Sequence, residues 1–173
     1  VAVFSYPLAH NVECFGYKIL FKKQKGSLDA NKLKELGIMP GPFYREIKEA
    51  DTFEFNGIMY NSSEFLSEDK PEKEISIIPD TRYFDGLGEF VKNSNIIISE
   101  CTYLLKEDAH HARKNYHLSI LDIEKIIAQS KVESLFLTHI SARYDRNIEK
   151  EAIESLHDKC NVKIAHDLEE YSL

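Results

Sequence analysis

A regular alternation of short apolar runs with amphipathic segments, from Ile75 to Ala165, constrains the fold of this chain more than any other feature. Apolar, β-prone runs predict strands at 75–78, 95–98, 133–137 and 162–165, and helical periodicity predicts helices at 84–92, 120–130 and 148–159. Two further strands are predicted at 1–6 and 14–21. Strands that alternate with helices are typical of α/β proteins, in which the strands lie mostly buried between helices. We therefore predict an α/β fold.

Length and composition are those of one globular domain. The chain has 173 residues and a net charge of −7, which argues against a generally basic nucleic-acid binder without excluding a local basic patch. Cys14, Cys101 and Cys160 form no CxxC pattern, so we expect no disulfide framework and a reducing, cytoplasmic location. No apolar run approaches the ~20 residues of a membrane span, and Val1–Leu8 lacks the features of a signal peptide.

Polar side chains follow three consecutive predicted strands. Asp80, Glu100 and His139 each lie one or two residues beyond an apolar run. Ligands of α/β sheets bind at the carboxyl ends of the strands, so we expect these residues to form a site. His10 lies in a tight connection between the first two predicted strands. One carboxylate and two imidazoles suit zinc or manganese, although two metals need about twice as many protein ligands.

Residues 22–60 differ from the rest of the chain. The segment from Lys18 to Lys34 contains six lysines and a single acidic residue. The sequence predicts a helix at 28–36 capped by Ser27 and ended by Gly37, a stiff Pro-Gly-Pro turn before a second helix, and an Asn-Gly hairpin at 52–60. We interpret residues 22–60 as an inserted arm that projects from the domain and adds nothing to its core, followed by a polar surface loop at 62–74. A solvated charged face remains the alternative.

The chain lacks the glycine-rich phosphate loops GxGxxG and GxxxxGK[ST] and the nucleophile motif GxSxG. Six motifs occur in this order: Pro7-Leu8-x-His10-x5-Gly16-Tyr17, Gly37-Ile-x-Pro40-Gly41-Pro42, Asp80-Thr81-Arg82, Glu100-Cys-Thr102, His117-Leu-Ser119 and Leu137-Thr-His139-Ile-Ser141-Ala-Arg143-Tyr144. In this order and spacing they resemble ribonuclease Z, the metallo-β-lactamase-superfamily endonuclease that trims the 3′ trailer of precursor tRNA.

The resemblance implies a role for each residue of a catalytic centre with two zinc ions, for which manganese is a possible substitute. His10 and His139 resemble terminal metal ligands, and Asp80 resembles the carboxylate that bridges the two metals. His117 resembles the imidazole that assists cleavage from beside the metals, and Glu100 resembles an orienting partner of His117.

The resemblance also implies contacts with RNA and a quaternary structure. Ser141 and Arg143 resemble phosphate contacts near the site. Residues 22–60 resemble the flexible arm, or exosite, that grips precursor tRNA, and the family is usually homodimeric. The residues of the arm that we expect to contact RNA are Lys22, Lys23, Lys25, Gly41 and Pro42.

One part of the family pattern is absent from this sequence. The motif His-x-His-x-Asp-His, which supplies the remaining metal ligands in the family, does not occur. We therefore predict that residues 1–173 are one metallo-β-lactamase domain lacking its N-terminal part, from an αββα sandwich with an inserted arm. The predicted function is zinc-dependent removal of the 3′ trailer from precursor tRNA, with this fragment inactive alone. Two alternatives stay open: a phosphodiesterase of the same superfamily with a small substrate, and a non-catalytic RNA-binding or partner subunit.

Overall fold

The computed structural model describes residues 1–171, which form two compact units. The larger unit comprises Val1–Phe21 and the chain from Lys73 onward, and the smaller unit comprises Lys22–Glu72. The strands are β1 (Ala2–Pro7), β2 (Phe15–Phe21), β3 (Thr52–Phe55), β4 (Ile58–Asn61), β5 (Lys73–Ile78), β6 (Ile96–Glu100), β7 (Ser134–Thr138) and β8 (Asn161–Ile164). The α-helices are α1 (Ala30–Glu35), α2 (Pro42–Glu49), α3 (Gly86–Val91), α4 (Ala109–Lys114), α5 (Ile120–Ala128) and α6 (Arg146–Leu156). Within residues 1–171, no helix combines the length and the hydropathy that a membrane crossing requires.

Six strands of the larger unit form one sheet, in the order β1-β2-β5-β6-β7-β8. Strand β2 is antiparallel to both β1 and β5, whereas β5, β6, β7 and β8 are parallel neighbours. Parallel neighbours need a crossover connection, and here α3, α5 and α6 lie in those connections. The predicted α/β fold is confirmed, and the carboxyl ends of the parallel strands lie along one edge of the sheet.

Both faces of the sheet bury apolar side chains, which explains the continuous apolar runs in the sequence. In β7, Leu135 and Leu137 belong to the main core, which the helices of this unit share, while Phe136 belongs to a second cluster. Ile75 and Ile96 are the other buried members of that second cluster. Because successive side chains of a strand point to opposite faces, the two clusters lie on opposite sides of the sheet.

Two helices of the larger unit illustrate how local sequence controls helix boundaries. Helix α5 begins at the predicted capping box, in which the Ser119 hydroxyl and backbone N–H both bond the Asp122 carboxylate, at 2.7 and 3.1 Å. Helix α4 was not predicted, because six residues are too few for a clear apolar periodicity and only Ala112 is buried.

The smaller unit has an apolar cluster of its own, which the sequence did not predict. Its helices, its hairpin and a 3₁₀ turn at Ser62–Phe65 enclose a separate apolar cluster of buried side chains. The predicted polar loop after residue 60 contributes Phe65 to that cluster. The buried members are Leu33, Ile38, Ile47, Phe53 and Phe65.

Backbone conformation in the smaller unit follows the sequence signals with one exception. The hairpin between β3 and β4 turns at Asn56 and Gly57, whose φ angles of 53° and 79° fit the predicted two-residue turn. Gly37, at φ 87°, follows the end of α1 as predicted. The expected cap at Ser27 is wrong, because the Asp29 carboxylate accepts the backbone N–H groups of the first helical turn.

Candidate metal centre

Three neighbouring strands deliver polar side chains to one edge of the sheet. Asp80 lies two residues beyond β5, Glu100 is the last residue of β6, and His139 follows β7 directly. Strand β6 is parallel to both of its neighbours, so these three positions fall at the same edge. The structure therefore brings together residues that lie about 20 and 40 positions apart in the chain.

Asp80, His117 and His139 form a group that could hold a metal ion, since one ligand atom of each lies within 4.8 Å of the others. Asp80 Oδ1 lies 3.7 Å from His139 Nδ1, and the two imidazole rings are stacked with centroids 5.0 Å apart. The Asp80 and His139 side chains are partly exposed, so an ion can reach them. One carboxylate and two imidazoles are a donor set that zinc and similar transition metals accept.

Glu100 lies beneath this group and is fully buried. Its Oε1 accepts the backbone N–H groups of Thr81 and Leu118, at 3.1 and 3.0 Å, and lies 3.1 Å from His117 Nδ1. Burial raises the pKa of this carboxyl from 4.5 to about 7, against the opposing effect of the backbone donors. The structure thus places Glu100 where it can fix the orientation of the His117 ring.

His10 lies beside the group of three, but is not one of its members. Its ring centroid is 5.6 Å from that of His117, and its Nδ1 is 3.1 Å from the carbonyl oxygen of Tyr116. The Ala9 backbone N–H donates to Thr81 Oγ1 at 3.0 Å, which ties the loop of His10 to the loop of Asp80. The sequence predicted His10 as the companion of Asp80 and His139, whereas in this structure His117 takes the nearer position.

Comparison with known proteins supports the same resemblance as the motifs. Ribonuclease Z from Bacillus thuringiensis (strain Al Hakam) and ribonuclease Z from Bacillus cereus (strain AH820) are each 32% identical to the chain over 166 residues. The alignment covers 95% of this chain and 54% of either relative, so the chain spans about half the length of the curated relatives it matches. The resemblance to ribonuclease Z is confirmed. No protein-family profile matches the chain.

Solved structures show the fold. The metallo-β-lactamase fold protein YhfI from Bacillus subtilis matches 94% of this chain and 45% of its own, with a TM-score of 0.55 and 17% identity. Human tRNase Z, short form, matches 96% of this chain and 41% of its own, with a TM-score of 0.50 and 15% identity. The chain therefore has the metallo-β-lactamase fold. It matches less than half the length of either solved chain.

Arg143, in the Thr-His-x-Ser-x-Arg-Tyr motif shared with ribonuclease Z, is held in place from several sides. Its Nε donates to Ser141 Oγ at 3.1 Å, and its guanidinium lies over the rings of Tyr103 and Tyr144, 5.0 and 5.7 Å from their centroids. Asp108 lies 3.8 Å from it and also accepts the Tyr144 hydroxyl at 2.6 Å. The Arg143 side chain is half exposed, so an ordered cation, whose charge Asp108 partly neutralises, faces solvent.

The lysines predicted to form a ribonuclease Z-like exosite are partly neutralised within the smaller unit. Lys23 pairs with Asp69 at 3.0 Å, and Lys25 lies 3.9 Å from Asp51 and donates to the Glu49 carbonyl. Within residues 1–171, Lys22 has no ion pair. The unit contains eight Lys and Arg residues against ten Asp and Glu residues, so the basic segment does not make the unit basic. Gly41 and Pro42 are exposed at the start of α2.

One residue of the centre received no role in the sequence analysis, although it belongs to the Glu100-Cys-Thr102 motif. Thr102 Oγ1 lies 2.8 Å from His139 Nδ1 and 3.1 Å from Glu100 Oε2. A threonine two residues beyond a buried strand carries no signal of its own in a single sequence. Its position became informative only when the neighbouring strand placed His139 beside it.

Proposed function

We propose that this chain is the part of a metal-dependent endoribonuclease that removes the 3′ trailer from precursor tRNA. One observation carries the proposal: Asp80, His117 and His139, which stand in three motifs shared with ribonuclease Z, converge at one edge of the sheet over a buried carboxylate. The chain's similarity to ribonucleases Z from Bacillus species supports the same reaction.

In this proposal Asp80, His139 and His10 are ligands of two metal ions, which are zinc or manganese. When bound, the metal supplies Lewis-acid activation of the scissile phosphate and of the attacking water. Glu100 holds the Nδ1 of His117, so the ring could take up a proton on Nε2 and then pass it to the leaving 3′ oxygen. Arg143, fixed by Ser141, would bind a phosphate beside the scissile bond.

Two further features belong to the same proposal. The resemblance to ribonuclease Z favours a homodimer. A cytoplasmic location agrees with the three cysteines, all of which are free.

The chain alone is expected to be inactive and to bind metal weakly. It offers three or four candidate ligands, whereas two catalytic cations use about six protein ligands. The measurement is cleavage of precursor tRNA by residues 1–173 with added zinc or manganese, with Asp80→Ala as the control for contaminating nuclease. Turnover of ~1 per second or faster, absent from Asp80→Ala, would refute the expectation.

A chimera tests the proposed function directly. It joins this chain to the part of the Bacillus cereus ribonuclease Z that the chain does not align with, which restores the length of a full relative. We expect the chimera to bind metal and to remove the trailer from precursor tRNA, and we expect Asp80→Ala to abolish both properties. A folded, metal-loaded chimera that leaves precursor tRNA intact would overturn the proposal.

The acidic partners of Lys23 and Lys25 favour one rival function, a phosphodiesterase with a small substrate. Removal of the arm distinguishes trailer removal from hydrolysis of a small phosphodiester, because a small substrate does not need a remote RNA-binding surface. Phe21 and Lys73 are direct partners in the antiparallel pair β2–β5, so the whole smaller unit is inserted where a hairpin turn could stand. Replacing Lys22–Glu72 by Asn-Gly therefore removes the arm and closes the strand pair with a two-residue turn.

In the chimera, this replacement is expected to spare hydrolysis of a small phosphodiester and to raise the KM for precursor tRNA strongly. The reason is that binding energy remote from the reacting bond is lost while the metal-binding residues and His117 remain. Unchanged cleavage of precursor tRNA would show that the arm is not an exosite and would favour the small substrate.

Replacing Lys22, Lys23 and Lys25 by Ala in the chimera is expected to have a weaker effect of the same kind. Lysines that bind phosphates displace counterions from the RNA. The slope of log KM against log salt concentration should therefore become smaller by up to about 0.9 for each phosphate that the variant no longer neutralises. Because Lys23 and Lys25 have acidic partners, Lys22→Ala should account for most of the change. Lys150→Ala, on α6, is the matched control, and an equal effect there would exclude a specific role for these lysines.

A further inference from the structure

Glu100 is linked by hydrogen-bond distances to two imidazoles, those of His117 and His139. Its Oε1 lies 3.1 Å from His117 Nδ1, and its Oε2 lies 3.1 Å from the hydroxyl of Thr102, which in turn lies 2.8 Å from His139 Nδ1. The carboxylate therefore contacts one ring directly and the other through a single hydroxyl group.

Backbone donors determine the direction of these hydrogen bonds. The N–H groups of Thr81 and Leu118 can only donate to Oε1, and the N–H group of Thr102 can only donate to Oε2, at 3.0 Å. Both oxygens of Glu100 are therefore acceptors, so the hydroxyl of Thr102 donates its one proton to Oε2. That hydroxyl can then only accept from His139, whose Nδ1 must carry a proton.

Other contacts of His139 agree with this assignment. Asp80 Oδ1, at 3.7 Å from the same nitrogen, is too distant for a hydrogen bond, yet as a carboxylate it also favours a proton there.

The backbone of His139 has φ 55°, an uncommon conformation for a residue with a side chain. Bonds on both sides hold it: Cys101 N–H donates to the Thr138 carbonyl at 2.9 Å, and Ser141 N–H donates to the Thr102 carbonyl at 3.2 Å.

We propose that Thr102 is a positioning residue, which fixes His139 in the tautomer protonated on Nδ1 and so leaves Nε2 as the nitrogen that binds metal. A buried carboxylate thereby sets the tautomer of both His117 and His139. The consequence for metal affinity rests on the proposed function, in which His139 is a ligand, whereas the tautomer itself does not.

The test measures the tautomer in the metal-free chain by long-range ¹H–¹⁵N NMR of the imidazoles. The pH is 8, above the pKa of about 7 that burial gives Glu100. The His139 signals are those that His139→Asn removes. We expect the proton on Nδ1 in the unaltered chain and in Thr102→Ser, which keeps the hydroxyl. Thr102→Val should lose this preference, and Thr138→Val, whose hydroxyl makes no hydrogen bond within residues 1–171, should keep it.

Zinc titration of four chimeras, which carry the unaltered chain, Thr102→Ser, Thr102→Val or Thr138→Val, supplies a second readout. Loss of an outer-sphere partner of a histidine ligand typically weakens metal binding about 10–100-fold, so Thr102→Val should show that loss while Thr102→Ser and Thr138→Val do not. A proton on Nε2 of His139 in the unaltered chain, or an unchanged tautomer in Thr102→Val, would overturn the inference, and the first result does not depend on any Thr102 variant. The expected tautomers in the chain, without zinc binding by any of the four chimeras, would uphold the role of Thr102 and overturn the metal of the proposed function.

Discussion

Asp80→Ala and His139→Ala in the chimera are expected to abolish both metal binding and trailer removal, because each removes a side chain that offers a ligand atom. His117→Ala is expected to keep the metal and to lose about 10²–10⁴ in rate, the usual contribution of a general acid. The difference follows from the role proposed for His117 on its resemblance to ribonuclease Z, since its contact with Glu100 orients the ring but would suit a metal ligand equally well.

Elemental analysis of the purified variants separates these two classes, alongside the rate of trailer removal. His111→Ala, which removes an exposed imidazole on α4, is the control for nonspecific effects of losing a histidine. The structure places His117 within 4.8 Å of the other two ligand atoms, so the assignment of its role depends on this measurement. A His117→Ala protein as empty of metal as Asp80→Ala would make His117 a ligand and not the acid.

Glu100→Ala is expected to lower the free energy of unfolding of the chain by about 3–5 kcal/mol, since a buried donor left without its acceptor costs about 1–3 kcal/mol. The substitution removes the acceptor of three backbone N–H groups, those of Thr81, Thr102 and Leu118. Urea unfolding followed by circular dichroism measures the loss. A change below about 1 kcal/mol would show that water replaces the carboxylate and that Glu100 does not support the fold.

Glu100→Gln isolates the charge of this side chain from its shape. The pKa of the Glu100 carboxyl rises from 4.5 to about 7 on folding, so the folded state is favoured at low pH and loses that contribution as the pH rises through this range. The loss for the metal-free chain is on the order of 3 kcal/mol, and the Gln variant should not show it. His117, whose pKa burial lowers from 6.5, acts in the opposite direction in both proteins. Parallel stability curves from pH 4.5 to pH 8 would contradict the assignment.

Most strands and helices were predictable because their signals are local. Apolar runs and helical periodicity located the parallel strands and three helices to within a few residues, and the capping box of α5 was read from Ser119 and Asp122. Failures occurred where the signal was short or ambiguous. Helix α4 has only six residues, and Ser27 and Asp29 are both acceptable helix caps in a sequence, although only Asp29 makes the bonds.

The arm shows why a local charge count is a poor guide to a surface. Six lysines in a short segment predicted a basic feature, but acidic residues distant in the sequence pair with three of them, Lys18, Lys23 and Lys25. The apolar cluster of the smaller unit was missed for the same reason. Its members, such as Leu33 and Phe65, are scattered in the sequence and are brought together only by folding.

By itself the sequence determined the α/β class, the motifs of ribonuclease Z and the polar residues at the strand ends, because these depend on residue order and short-range periodicity. Only the tertiary structure decided which of those residues meet. It placed His117, rather than His10, nearest to Asp80 and His139, and it connected Thr102 with His139 across two adjacent strands. The physical reason is that hydrogen bonds and metal sites require distances of a few ångströms between side chains, and the pairing of distant strands sets those distances.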